Sequence, residues 1–325
     1  MKPARLIVFE SSEFNLYSIE QELLREFKQL SVEIILGDIK DADRVDWAFK
    51  KFAPDVVFHA AAYKHVPMLE ANPAEGVRNN VFGTIIVADA ADLYKVERFI
   101  LISTDKAVNP TNIMGTTKRI GELYCQNFNE RSETCFITTR FGNVLGSSGS
   151  VIPKFKSQIK NKQNITVTHP DITRYFMLIP EACELVLQAG AIGTGGEIFI
   201  LDMGKPIKIV DLATKMIELS GRNDINIDFI GLRPGEKLYE ELFTDHEKLL
   251  DTAHPKIHSA KIKAIGVESA DVVIEQLTNV LHRPEDEIRV LLHQLVPEYM
   301  LPNKVDADAA IARQIITTPE VLLKR

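Results

Sequence analysis

A chain of 325 residues, 45% hydrophobic and 26% charged, has the make-up of a globular protein with room for one large domain or two lobes sharing a cleft. Its formal charge of -7 argues against general nucleic-acid binding, so an anionic ligand has to be met by a local basic pocket. Three cysteines without a CxxC pair and eight histidines without ligand spacing speak against a disulfide framework and a metal site.

In chain order, short β-branched runs alternate with longer amphipathic ones. The strand RLIVFE (5–10) precedes the helical FNLYSIEQELLREFK, and VEIIL (32–36) precedes DADRVDWAFKKF. The run DVVFHAAA (55–62) leads to the long helical stretch PAEGVRNNVFGTIIVADAADLYK. RFILIS (98–103) is followed by TTKRIGELYCQNFNE and then by the strand TCFITTRF (134–141). This rhythm predicts an α/β fold, a Rossmann-type doubly wound parallel sheet over residues 1–150. Beyond it, helical SVIPKFKSQIKN, IPEACELVLQAGAIG and KIVDLATKMIELSG mix with short strands EIFILDM and INIDFIG. These predict a smaller substrate lobe over 151–265, closing over the strand ends, and a helical tail over 266–325 that includes EDEIRVLLHQLV.

A dinucleotide-binding sheet opens with a strand running into a glycine-rich turn at a helix N-terminus. No glycine precedes Gly37, and the turn after RLIVFE offers carboxylates instead. RLIVFE therefore reads as the second strand of such a sheet, with Glu10 at its end accepting from adenosine ribose hydroxyls. The first strand and its turn are expected to be missing from the chain, with RLIVFE and RFILIS flanking the vacant position. No apolar run reaches the ~20 residues that span a bilayer, and the N-terminus is too acidic for a signal peptide. The expectation is a soluble, cytoplasmic chain.

Six segments then occur in order: SSEFNLYSIEQEL, HAAAYKHVPMLEANPAEGVRNNVFGT, STDKAVNPTNIMGTTKR, RFGNVLGSSGSVIPKF, DITRYFMLIPEA and GLRPGEKLYEEL. Over roughly residues 5 to 260 the chain resembles the CapD-like polysaccharide-biosynthesis family of extended short-chain dehydrogenases, which includes UDP-N-acetylglucosamine 4,6-dehydratases. The resemblance implies bound NAD, a UDP-sugar substrate and a homo-oligomer, with membrane association only where N-terminal helices precede this segment. Family members begin with a strand and a GxxGxxG-type turn ahead of the point where this chain starts.

A 4,6-dehydratase takes hydride from sugar C4, removes the C5 proton, expels the C6 hydroxyl as water and returns the hydride to C6. The resemblance makes Asp105 the acid for O6 and Lys106 the base at C5, side by side at a strand's carboxyl end. Taken alone, the pair reads as a helix-entry Asp with a solvated Lys; the following AVNP and the Met–Lys spacing favour the catalytic reading. Short-chain dehydrogenases usually carry a tyrosine four residues before the lysine that corresponds to Lys118; here Met114 stands there, as in the family's larger branch. A thioether carries no proton, so the O4 proton runs through Thr104, a water or Asp105, and Thr104 is favoured because a hydroxyl relays protons. Lys118 is left to hold the nicotinamide ribose.

For the cofactor, Ala60, Ala61 and Ala62 are small enough to let it lie against the backbone. Asp38 accepts from adenine's amino group or merely ends a strand, and Asn80 binds backbone near the nicotinamide or is an ordinary helix residue. Lys64 and His65 face cofactor or sugar, and Asn143 contacts sugar or uracil. Arg140, Arg174, Arg233 and Lys237 are candidates for the diphosphate, since guanidinium forks match phosphate oxygens. Two other functions remain open: a nucleotide-sugar 4-epimerase, which needs no acid–base pair at C5 and C6, and a truncated non-catalytic UDP-sugar-binding paralogue.

Overall fold

The protein is seen here as a computed structural model that describes residues 3–147, 149–244, 247–261 and 270–301. Its strands are β1 (Arg5–Glu10), β2 (Ser31–Leu36), β3 (Val56–His59), β4 (Arg98–Ile102), β5 (Cys135–Arg140), β6 (Asn143–Leu145), β7 (Ile165–Val167), β8 (Thr173–Arg174), β9 (Phe176–Leu178), β10 (Ile198–Leu201), β11 (Ile207–Lys208), β12 (Ile227–Phe229), β13 (Lys248–Asp251) and β14 (Ile257–Lys261). Its α-helices are α1 (Glu13–Glu26), α2 (Ala42–Phe52), α3 (Val66–Glu70), α4 (Pro73–Gly76), α5 (Gly83–Leu93), α6 (Ile113–Asn129), α7 (Val151–Lys160), α8 (Ile179–Ile192), α9 (Ile209–Ser220), α10 (Ala270–Val280) and α11 (Glu285–Leu295). None is long and apolar enough to cross a membrane among the described residues.

Strands β3, β4, β5 and β10 run parallel in a six-stranded sheet ordered β13-β14-β10-β5-β4-β3. Strand alternation feeds two cores. Phe99 and Leu101 of β4 face α2, α5 and α6, where they meet Phe49, Val87, Ala91, Cys125 and Phe136. Ile100 points the other way, to Leu185, Val186 and Ala189 of α8. Each face thus hides a layer of apolar side chains under helices, the arrangement that a doubly wound sheet requires. A further cluster joins Phe155 of α7, Ile165 and Val167 of β7 and Ile209 and Ala213 of α9. Helices α10 and α11 pack Leu277, Ile288 and Leu292 onto Val77, Val81, Ile113 and Met114. The expected boundary near 265 and the tail over 302–325 lie outside the described residues.

Several expectations are corrected. The expected parallel pairing holds for β1 to β5, and only beyond residue 150 does β14 pair antiparallel with both β10 and β13. The long run from residue 73 breaks into α4, a π-helical turn (Val77–Phe82) and α5. DVVFHAAA is a strand only to His59, with its alanines in the following loop. Among the described residues β1 pairs only with β2, in a separate two-stranded sheet. Among the described residues the main sheet ends on β13 at one edge and on β3 at the other, and not on RFILIS, which is hydrogen-bonded on both sides as β4.

Arg140 is also corrected. It is fully buried at the end of β5 and meets protein carboxylates: Nη2 lies 2.7 Å from Glu122 Oε2 and Nη1 3.0 Å from Glu247 Oε2. Glu122 further accepts from Ser103 Oγ at 2.6 Å and Arg119 Nη1 at 3.1 Å. Burial raises the Glu122 pKa, but Arg140, Arg119 and Ser103 outweigh it and bring it to about 2. Its folded pKa thus lies below the usual 4.5, so its stabilisation is present above that value and is lost as pH falls toward 2. Replacing Arg140 by Met takes the cation from buried Glu247 and leaves Glu122 with Arg119 alone, which should cost about 3–5 kcal/mol. Thermal denaturation at neutral pH checks this; a melting temperature within a degree or so of the native one would return Arg140 to the ligand-binding set.

Candidate active site

The carboxyl ends of β3, β4 and β5 open onto one cavity of about 550 Å³, within the range of small-molecule and cofactor sites. The loop after β3 contributes Ala60, Ala62, Lys64 and His65, and that after β4 contributes Ser103, Thr104 and Lys106. Helix α6 supplies Met114 and Lys118, while Gly142 and Asn143 follow β5. Arg174 comes from β8, and Arg233, Glu236 and Glu240 come from the GLRPGEKLYEEL segment.

The loop after β4 is locked before its side chains are considered. Ser103 N donates to Thr139 O at 2.7 Å and Asp105 N to Phe141 O at 3.0 Å, so pairing with β5 continues past the strand ends. Thr104 caps a single 3-10 turn, Asp105–Ala107. Asn112 caps α6, its side chain accepting from Gly115 N at 2.8 Å. Helix α6 then presses on this turn so closely that a Cβ on Gly115 would lie 2.0 Å from Lys106 O. The RPGEK turn is tied on from the other side, with Thr111 Oγ1 and Asn112 Nδ2 both donating to Gly235 O at 3.0 and 2.9 Å. Gly235 has φ +73°, a conformation that suits glycine.

Inside this frame Lys106 Nζ donates to Asp105 Oδ1 at 2.9 Å and to Asn143 Oδ1 at 3.2 Å. Thr104 Oγ1 donates to the same Asp105 oxygen at 2.9 Å. The Asp105 side chain is fully buried and its Oδ2 has no partner among the described residues, whereas Lys106 keeps 17% exposure. Asp105 was expected to meet O6 directly; here it reaches the cavity through Thr104 and Lys106. Burial works against the Lys106 charge, but Asp105 and Glu240 outweigh it and raise its pKa, so the amine is protonated at rest. Lys118 is the opposite case: burial pulls it down to about 8 against the pull of Glu122. Its amine makes no hydrogen bond to another described residue.

The remaining candidates divide. Arg174 and Arg233 line the cavity, both beside Glu236, at 3.6 and 3.1 Å. Lys237 is spent on structure, donating to Val108 O at 2.9 Å and pairing with Glu241 at 3.0 Å. Asn80 is a clamp: its amide exchanges bonds with Tyr63 N and O at 2.8 and 3.0 Å and donates to Thr117 Oγ1 at 3.0 Å. That fixes the loop after β3. Glu10 and Asp38 lie away from the cavity at the ends of β1 and β2, where each closes its own turn, Glu10 on Ser12 N at 2.8 Å and Asp38 on Lys40 N at 2.9 Å. Ala61 is exposed beside Ala60.

The donor set bears on a nicotinamide dinucleotide in two ways. Small Ala60 and Ala62 beside an unpartnered Lys118 amine fit a nicotinamide and its ribose. The N-terminus of α1, with Glu10 before it, Ser12 as its side-chain cap and Glu13 in its first turn, does not form a pyrophosphate cradle. Sequence reasoning passed over Gly115, Thr111, Asn112, Glu236 and Glu240. Each lay inside a recognised segment, yet their roles depend on which segments touch.

Comparison with known proteins gives this geometry a setting. A family model described as polysaccharide biosynthesis protein matches residues 1–262. The capsular polysaccharide biosynthesis protein CapD of Staphylococcus aureus is 50% identical over 281 residues, 85% of this chain and 47% of CapD. The chain thus spans about half the length of that relative. A UDP-glucose 4-epimerase of Rickettsia bellii is 39% identical over 219 residues, 66% of this chain and 63% of the epimerase. The X-ray structure of Pen from Bacillus thuringiensis superposes with a TM-score of 0.74 at 38% identity, covering 87% of this chain and 90% of Pen.

Two glycines of α6 separate packing from propensity. Gly115→Ala forces a methyl into the Lys106 carbonyl and should destabilise by about 1–3 kcal/mol. Gly121→Ala meets only Thr84 Cγ2 at 3.7 Å and Leu101 Cδ2 at 3.8 Å, so helix propensity should leave it neutral or more stable by up to ~1 kcal/mol. Denaturant titration of the two variants should place their midpoints on opposite sides of the native value, or Gly121→Ala upon it; equal losses would show that the close approach at Gly115 is not what fixes the turn.

Proposed function

The chain belongs to the polysaccharide biosynthesis protein family, and from that premise we propose that it is an NAD-dependent nucleotide-sugar 4,6-dehydratase acting on a UDP-N-acetylhexosamine. The observation that carries this reading is the single Asp105 oxygen shared by Thr104 Oγ1 and Lys106 Nζ, each at 2.9 Å. Two groups facing a ligand are thereby joined to one buried proton store. An epimerase needs only a relay at O4, and a second group aimed at C5 and C6 has no work in it.

Arg174 and Arg233 would hold the diphosphate, with Lys64, His65 and Asn143 beside the sugar or uracil. A bound nicotinamide dinucleotide supplies the hydride acceptor and donor for the cycle. Lys118 would hold its ribose hydroxyls, the alanine wall would lie against it, and Glu10 would accept from the adenosine ribose, favouring NAD over NADP. Asp38 is left with its strand-end role.

Proton movements follow from which atoms face the cavity. The O4 proton passes to Thr104 Oγ1, whose own proton passes to Asp105 Oδ1. Lys106, when neutral, removes the C5 proton and gives a proton to O6 as water departs. Asp105 then reprotonates Lys106 across their hydrogen bond, and Lys106 returns a proton to C5. The pair ends as it began, and the proton lost from O4 has been passed on through it. Met114 takes no part: it is 3% exposed and packed with Leu69, Ile113 and Ile120.

The cycle starts from neutral Lys106, and the raised pKa of that amine means that neutral protein holds mostly the inactive, charged form. Turnover should therefore climb with pH through neutrality into the alkaline range, whereas a profile falling over that range would remove Lys106 as the base. Incubation with UDP-N-acetylglucosamine and NAD should give a product lighter by one water. Lys106→Ala and Asp105→Asn should abolish that product and leave UDP-sugar affinity within a few-fold, and Met114→Leu should keep most of the activity. The Rickettsia relative favours a second reading, C4 epimerisation, which mass spectrometry would reveal as a product of unchanged mass.

A further inference from the structure

Lys106 faces two carboxylates, and the proton cycle uses only Asp105. The other is Glu240, from the segment that follows the RPGEK turn. Its Oε1 lies 3.6 Å from Lys106 Nζ and 3.6 Å from Arg174 Nε, and its side chain is only 3% exposed. Its second oxygen is buried with no hydrogen-bond partner among the described residues. A buried carboxylate with an idle oxygen costs stability, and nearby apolar packing would do the structural job more cheaply. The surroundings nevertheless hold it firmly. Gly235 is tied to Thr111 and Asn112, Lys237 Nζ to Val108 O, and Arg174 Nη2 to Lys237 O at 2.9 Å.

We propose that Glu240 is a positioning residue for Lys106, its carboxylate bridging the amine to Arg174 so that the proton-carrying and anion-binding ends of the cavity are set by one side chain. Its part in turnover rests on the dehydratase reading, while its hold on Lys106 rests on geometry alone. The charged groups facing Lys106 are Asp105 from its own turn, Glu240 from the far segment and Arg174 from β8; Asn143 adds a neutral acceptor. Arg174 in turn faces Glu236, which pairs with Arg233. Removing the Glu240 charge leaves one carboxylate against burial and Arg174, so Lys106 should release its proton at lower pH.

The test reads Lys106 directly. The full chain is labelled with 13C-lysine, and the Lys106 Cε signal is identified by its loss in Lys106→Arg. In Glu240→Gln its titration midpoint should fall by about one pH unit, and the limb of the pH–activity profile should move the same way. The kcat plateau should drop while KM for the nucleotide sugar stays within a few-fold. Glu240→Asp keeps the charge, so its midpoint should stay near the native one while kcat falls through the shorter reach. A Lys106 midpoint unmoved in Glu240→Gln overturns the proposal, whatever happens to the melting temperature. Should Glu240→Gln not fold, Glu240→Asp decides by its kcat, and a native value overturns the proposal. A native chain that makes no 4-keto-6-deoxy product sinks the dehydratase reading alone, because the titration needs no turnover.

Discussion

The site depends on how closely α6 approaches the turn after β4. With a hydrogen in place of a side chain at position 115, the helix backbone comes within a bond's reach of where a Cβ would clash with Lys106 O. That contact decides which way Lys106 leaves the chain. It also puts Met114 and Lys118, one helical turn apart, on the cavity side of α6. The same first turn of α6, through Asn112, grips the RPGEK turn. The turn after β4, the adjoining start of α6 and the distant RPGEK segment are thereby assembled around one amine.

Charge in this region is organised at two levels that use the same residue types for different ends. Below the sheet ends, Glu122 receives bonds from Ser103, Arg119 and Arg140, and Arg140 is shared with Glu247. Such a cluster is satisfied on every side and has nothing left to offer a ligand. At the cavity, among the described residues, Asp105 and Glu240 each keep an oxygen without a hydrogen-bond partner, and the Lys118 amine makes no hydrogen bond. Held in a rigid frame, these idle groups mark the cavity wall as the candidate site, although Glu298, paired with Arg119, also keeps a buried oxygen with no partner among the described residues.

How much of this was legible in the sequence follows the range of the interactions involved. β-branched runs such as RFILIS and EIFILDM announce buried parallel strands because the signal is carried by consecutive residues. Asp105 and Lys106 were readable because they are adjacent. Arg140 was not, since nothing around RFGNV shows that Glu122 and Glu247 will close on it. Strands β13 and β14, KLLD and IHSAK, are short and part polar, and their place beside β10 is a fact of topology. The same holds for β3 as a sheet edge, which requires strand order and not strand identity. Glu240 was in plain view within KLYEEL, yet its value comes only from standing between Lys106 and Arg174.

The methionine in the usual tyrosine position becomes intelligible from these two levels. A tyrosine at 114 would stand one helical turn from Lys118, whose pKa burial draws down to about 8, so that the amine is still mostly charged at neutral pH. Neighbouring His59, buried and hydrogen-bonded to Thr84, is neutral, with its pKa lowered to about 3 by burial and by Lys118. Lys106 is set differently, between the carboxylates of Asp105 and Glu240, and Thr104 donates to the same Asp105 oxygen. An apolar side chain at 114 closes the cluster of α3, α6 and α11, while the hydroxyl, carboxylate and amine of Thr104, Asp105 and Lys106 are hydrogen-bonded in the turn after β4.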